Sequence, residues 1–259
     1  MEPRSVSGRM RIPRRARMTQ EYIHGVNPAF EVIRARRRRI HKAYLQDGVD
    51  ASGRMKKMAV LLESIAVPAV RATKQQLFRL CRSTEHQGVV LETDPYPYVS
   101  FESLADCPRL LLLDNVEDPQ NVGAILRSAE VFGWKDVLLS AKGVPDIYPS
   151  VVKASAGATE HLLICRDHAA NAYVKLLLAK GYTIVALDEH GPEDIGPVRK
   201  LAIEKLLLVI GGEHRSVGQH ILNQARHVVG LRQRGRIQSL NASVAAGIAL
   251  FLLGGEKLD

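Results

Sequence analysis

Four leucines in a row, Leu110, Leu111, Leu112 and Leu113, form the most sharply bounded apolar run in the chain. A run with no polar face reads as a strand buried on both sides within a parallel sheet. Residues 114–121 break it with acids, a proline and two asparagines, which predicts a loop. Val122, Ile125, Leu126, Ala129 and Phe132 then recur at helical spacing, so a helix follows and ends at Gly133. Beyond it, apolar runs at 137–139, 161–165, 183–187, 206–210 and 228–231 alternate with helical patterns at 150–155, 169–180, 216–224 and 242–253. That alternation predicts an α/β domain with a mostly parallel sheet and helices on both faces.

The first third patterns differently. Residues 22–39 read as a short apolar start, a turn over 25–28 and a helix that ends in arginines. From 56 to 91 the order is helix, strand, helix, strand, with extended segments at 69–72 and 88–91 and helices over 58–65 and 74–80. This predicts a small α/β unit over 20–93. Residues 94–108 carry Pro95, Pro97 and Pro108, lose periodicity and read as a linker to the larger domain, 109–259. Residues 1–19 are basic and expected to be disordered.

Charge sharpens this division. The formal net charge is +9, made of 19 Lys+Arg against 11 Asp+Glu in residues 1–108 and 17 against 16 in 109–259. The excess is therefore N-terminal, and a concentrated basic surface attracts polyanions, nucleic acid before anionic membrane. Arg34, Arg36, Arg37, Arg38 and Arg39 crowd the end of one helix beyond what its dipole would favour, so phosphate contact is the preferred reading over a solvated basic face.

Other chemistry is thinner. Cys81, Cys107 and Cys165 form no CxxC pair, which fits a reducing compartment and suggests neither disulfide framework nor zinc site. The apolar segment 242–253 is about half of a membrane span and reads as a core helix. There is no G-x-G-x-x-G and no Walker lysine. The acids and histidine from Asp188 to Asp194 read as a solvated loop and not a metal site. Two stretches share the character of the first strand end. Gly211 and Gly212 close an apolar strand, allowing close approach to a ligand or a sharp turn, and Glu213 follows as a functional acid or a helix first-turn acid. Asn241 could simply N-cap the last helix, with Ser239 in the turn before it.

Taken in order, "DPxNxGAIxRSAxxFG" (118–133), "GGE" with Gly218, and "SLNxSVAAGIALF" (239–251) resemble the three motifs of the SpoU/TrmH family of RNA ribose 2′-O-methyltransferases, in the SPOUT class. Residues 22–92 more weakly resemble that family's N-terminal substrate-binding domain, which is similar to a ribosomal protein. The overall likeness is greatest to the 23S rRNA guanosine branch.

The resemblance implies a deep trefoil knot, S-adenosyl-L-methionine bent within it, and a homodimer through the last helix. By position it assigns cofactor contacts to Gly211, Gly212, Gly218, Leu231 and Leu240. It assigns Arg127 to the reaction, with Asn121, Glu213, Ser239 and Asn241 orienting it. A guanidinium is a poor base, so Arg127 is read as a binder of phosphate and developing alkoxide, with the role of base as the alternative. No metal and no membrane are implied, and a cytoplasmic location is expected, with the mitochondrial matrix as the alternative. The sequence departs from the family's usual residues at His214, Ser216, Arg232 and Gln233. Those departures leave a second reading, an RNA-binding or ribosome-assembly protein that lost turnover; a tRNA-modifying member of the same family is a third.

Overall fold

The computed structural model describes residues 20–48, 53–213, 215–233, 235–236 and 240–254. The basic leader, His214 and Ser239 lie outside the described residues.

The N-terminal unit is a four-stranded sheet in the order β1 (Glu21–His24), β4 (Val89–Thr93), β2 (Ile40–Gln46), β3 (Ala69–Ala72). Only β2 and β3 pair in parallel. Alternation on β4 sends Val89 and Leu91 to one face and Val90 to the other. The first face is covered by α1 (Val26–Ala35) and α2 (Gly53–Ser64) through Phe30, Ile33, Met58 and Leu62. On the other face α3 (Lys74–Cys81) sets Leu77 against Val90 and Ala72, its start fixed by a Thr73–Gln76 capping box. Strand β2 was not expected. Its sequence, IHKAYLQ, buries only Ala43 and Leu45, too weak an alternation to stand out.

The larger unit is a seven-stranded, wholly parallel sheet. Its order is β7 (Leu163–Cys165), β6 (Asp136–Leu139), β5 (Arg109–Leu113), β10 (Leu206–Ile210), β8 (Thr183–Leu187), β11 (His227–Gly230), β9 (Glu193–Asp194). The leucine run behaves as read: Leu111 and Leu113 enter one core, Leu110 and Leu112 the other, all at 0% exposure. Central strand β10 divides likewise, so each strand stitches two cores together. One face carries α4 (Pro119–Val131), α5 (Pro149–Ala154), α7 (Ile195–Val198) and α9 (Ala242–Leu253); the other carries α6 (Ala170–Ala179) and α8 (Gln219–Leu222). Helix α8 is shorter than the expected 216–224, and β9 and α7 order the end of a segment read as a solvated loop.

The segment read as a linker is packed. Tyr96, Phe101, Leu104 and Ala105 are all buried, and Phe101–Ser103 make one 3-10 turn. The Tyr96 hydroxyl bonds the carbonyls of Thr159 (3.0 Å) and Leu162 (2.8 Å) in the larger unit.

Two of the five clustered arginines also belong to this seam, which corrects their reading as phosphate contacts. Arg38 is 5% exposed, makes a two-point ion pair with Glu160 (3.0 and 2.8 Å) and reaches Glu21 at 2.6 Å. Arg37 donates to the carbonyls of Leu162 and Pro97 and to the Tyr96 hydroxyl. Burial without such partners would cost several kcal/mol per charge, so the arginine run is split by what it packs against. Arg34, Arg36 and Arg39 stay exposed.

Candidate active site

Three chain segments meet beyond the carboxyl ends of β5 and β10, where open α/β sheets bind ligands. The first is the β5–α4 loop. Asp118 caps α4 by accepting from Gln120 N (3.0 Å), and Pro119 occupies the first helical turn, where its missing N–H costs nothing. This start places Asn121 in the first turn of α4, facing the other two segments.

The second is the β10–α8 loop. A Cβ on Gly211 would lie 2.3 Å from Val217 N, and one on Gly212 would lie 2.0 Å from Asn115 O. Close packing of chain on chain, a reason beside ligand approach and a sharp turn, leaves no room for a side chain at either glycine. Beneath it, Asp114 is buried and accepts from Gly218 N at 3.1 Å. Burial pushes the Asp114 carboxyl above its usual range, with the Gly218 hydrogen bond pulling the other way.

The third is the entry to α9. Asn241 caps that helix, accepting from Ser243 N (3.0 Å) and Val244 N (3.3 Å). Its Nδ2 bonds Glu213 Oε1 (2.5 Å) and Asn121 Oδ1 (3.0 Å), and Asn121 Nδ2 also reaches Glu213 Oε1 at 3.2 Å. Ala242 N adds a third contact to Glu213 Oε1 at 3.3 Å. Residues 121, 213 and 241 thus close a triangle, and Asn241 makes the cap and the contact to Glu213 at once. Glu213 Oε2 has no hydrogen-bond partner among the described residues.

Beside the triangle lies a cavity of about 480 Å³, lined by Gly211, Gly212, Leu231 and Leu240 with Gln233, Ala245 and others. Four of the five expected cofactor contacts are there. Gly218 is not; its N–H serves Asp114. Leu187 and Ile210 give the cavity an apolar wall, and Asp188, Glu189 and Glu213 an acidic rim. The acidic loop is therefore partly structural. Ser216 Oγ bonds Asp188 Oδ2 (2.5 Å), Glu193 pairs with His227 (2.8 Å), and Arg232 reaches Asp194 at 2.6 Å. Ser216 and Arg232, both departures from the motifs, thus tie this loop down. Among the described residues no cluster of His, Cys, Asp and Glu could hold a metal ion, and no helix is long and apolar enough to cross a membrane.

Arg127 stands apart. Six residues beyond Asn121, it lies about 9 Å along α4 and about 120° round it. It is exposed, makes no hydrogen bond or ion pair among the described residues, and does not line the cavity. Asp188, Glu189 and Gln233 were not expected in the site. Their signal is position at the ends of β8 and β11, which the linear order hides because β10 separates β5 from β8.

The profile of the SpoU rRNA Methylase family matches residues 108–251. The chain belongs to that family. It is an RNA methyltransferase, and a second profile, RNA 2′-O ribose methyltransferase substrate binding, matches residues 22–99 of this methylase. An uncharacterized tRNA/rRNA methyltransferase of Archaeoglobus fulgidus is 40% identical over 171 residues, covering 64% of this chain and 75% of its own. One of Mycobacterium ulcerans is 29% identical, covering 95% and 81%. The fold is shared with the SpoU methyltransferase AviRb of Streptomyces viridochromogenes, solved in complex with the cofactor AdoMet (TM-score 0.73, 20% identity, 91% and 89% covered). It is shared also with the AdoMet-bound rRNA methyltransferase of Sinorhizobium meliloti (TM-score 0.72, 21% identity, 90% and 86% covered).

Proposed function

We propose that this methylase transfers a methyl group from S-adenosylmethionine to a ribose 2′-hydroxyl, with a guanosine of large-subunit rRNA as the target. The observation that carries the reading is the cavity of about 480 Å³ opening directly on the Asn121–Glu213–Asn241 triangle. Its size suits a small-molecule site. The apolar wall from Leu187, Ile210, Leu231 and Leu240 suits an adenine ring, and the acidic rim suits a sulfonium and an α-amino cation. When bound, the cofactor supplies an electrophilic methyl group.

The protein's own part is positioning and proton management. Glu213 Oε1 is held by three donor groups, which fixes the carboxylate and leaves Oε2, without a partner among the described residues, as an acceptor for a ribose hydroxyl. Arg127, exposed and unpaired among the described residues, binds the RNA phosphate and steadies the negative charge that grows on the attacking oxygen. Ser239, in the motif that also holds Asn241, is assigned to orienting the ribose. The N-terminal unit holds the RNA.

The architecture extends to a trefoil knot formed where the chain passes β8, β10 and β11. Close packing of Gly191 against Val229 and Gly230, where a Cβ would be 2.4 Å from Val229 C, supports a threaded crossing. A homodimer is supported by the outer side of α9, where Val244, Ile248 and Phe251 are 51%, 38% and 48% exposed, next to exposed Phe132. The proposed location is the cytoplasm.

The test is calorimetric titration with S-adenosylmethionine, followed by labelled methyl transfer to rRNA from a strain lacking the gene. Resistance of the labelled linkage to alkali identifies a ribose 2′-O-methyl. Label on a base, or on tRNA alone, overturns the proposed target; cofactor binding without any transfer favours the RNA-binding alternative.

A further inference from the structure

On the N-terminal unit, α1 and α2 leave between them a groove of about 640 Å³. Arg34, Arg54, Lys56 and Lys57 line it, all exposed, two helices contributing cations to one channel. Phe30 forms part of its floor, and the guanidinium carbons of Arg34 and Arg54 stand 5.3 and 5.7 Å from that ring. Arg54 is further held by the Asn27 side chain. Among the described residues the one acid lining the groove, Glu31, is already engaged: Oε1 takes Arg34 at 2.6 Å and Oε2 takes His161 at 2.9 Å. Four cations line the groove among the described residues, Arg34 paired with Glu31 and Arg54 held by Asn27, both beside the Phe30 ring, and no unpaired carboxylate lines it.

We propose that this α1–α2 groove is a track for the sugar–phosphate backbone of the RNA, lying apart from the methyl-transfer site. The assignment rests on the reading that the substrate is RNA. A single phosphate would need converging donors; spaced cations on two helices match the repeat of a polyanion. Guanidiniums held beside Phe30 lose little freedom on binding, and the N–H groups not taken by Glu31 and Asn27 suit contact with phosphate oxygens. Backbone contacts of this kind supply affinity and register without sequence preference. The groove replaces the arginine run 36–39 as the principal electrostatic footprint, since Arg37 and Arg38 are spent on the seam.

The test measures binding of full-length protein to purified, protein-free large-subunit rRNA over a range of salt. The Arg54→Gln/Lys56→Gln/Lys57→Gln variant is compared with an Arg36→Gln/Arg39→Gln control, both checked by thermal melting. The groove variant is expected to lose at least about 10-fold in affinity and to flatten the slope of log K against log salt by about 2. Its affinity for S-adenosylmethionine stays unchanged, and Arg34→Lys keeps the slope. An unchanged slope in the groove variant, or an equal loss in the control, overturns the proposal. A groove-dependent slope without methyl transfer by the wild type would sink the enzymatic reading and leave the groove standing. Transfer with a normal slope in the groove variant would do the reverse.

Discussion

Asn241 Nδ2 lies 2.5 Å from Glu213 Oε1, and the same side chain caps the helix that closes the cavity. One asparagine therefore joins the end of β10 to the start of α9, and its two duties are separable. Asn241→Ser keeps an N-cap but loses the reach to Glu213. It is expected to hold its melting temperature while turnover falls at least 10-fold. Asn241→Ala loses the cap as well, worth about 1 kcal/mol, and melts about 2–4 °C lower. Parallel melting curves and methyl-transfer rates on the two variants check this; equal activity in Asn241→Ser and wild type would remove Asn241 from the reaction.

Arg127→Ala is expected to lower the rate of transfer by about 10²–10³ with cofactor affinity unchanged, as for loss of one preorganised anion-stabilising donor. Single-turnover kinetics alongside calorimetry reads both numbers. A rate near that of wild type would leave Arg127 as a surface cation.

Gly212 and Gly218 make opposite forecasts although both belong to one motif. A methyl group at 212 would meet Asn115 O at 2.0 Å, which forces the β5 and β10 loops apart; at 218 the nearest atom is Asp114 Oδ2, at 3.4 Å. Gly212→Ala should weaken S-adenosylmethionine binding at least 10-fold, whereas Gly218→Ala should bind within a factor of about three. Calorimetric titration of each variant decides.

Arg38 and Glu160 form a buried pair with side chains 0% and 1% exposed. Removing one member strands a charge, so Arg38→Ala is expected to cost about 3–5 kcal/mol, and Arg38→Met with Glu160→Leu less than the sum of the two single changes. Denaturant unfolding of the four-member cycle measures the coupling. Additive losses would mean the pair does not act as a unit.

Asp114 gives a pH signature. Its folded-state pKa is raised above the usual 3.8 by burial, so between 3.8 and the raised value the folded protein holds more protons than the unfolded chain. Stability from this group is therefore greatest at acid pH and declines as pH rises through that window. Asp114→Asn, whose Oδ1 can still accept from Gly218 N, should remove that decline and leave the protein at least as stable at neutral pH. Melting temperature against pH for both proteins shows it; identical profiles would contradict the assigned shift.

How far the sequence carried varied with how local the information was. The leucines of β5 and the LLLVI of β10 are self-sufficient, because a strand buried on both faces writes its environment into consecutive residues. Asp118 and Pro119 likewise announce the start of α4. Within the site, Asn121, Glu213 and Asn241 were grouped by the resemblance of the three motifs; residue by residue, Glu213 read equally as a first-turn acid and Asn241 as a plain N-cap. Arg38 was misread because its partner, Glu160, lies 122 residues away; nothing in five clustered arginines says which one will be covered. Strand β2 and the 94–108 segment failed for a related reason: their apolar residues are few, and only long-range packing makes them decisive. Asp188 and Glu189 entered the cavity rim through strand order, which no linear spacing encodes.

The packed strap changes where this protein can be cut. Phe101, Leu104 and Ala105 share a core with Leu110, Leu112 and Tyr173, while Tyr96 belongs to the core on the sheet's other face. The two family profiles meet these residues only at their margins, ending at 99 and beginning at 108. A fragment trimmed to the second boundary would leave Tyr173 and its neighbours uncovered, and one ending at the first would carry Tyr96 without the carbonyls it bonds. The modules are thus separable as sequence but not as solids: grafting either onto another enzyme requires carrying the strap, and with it the surface that receives it.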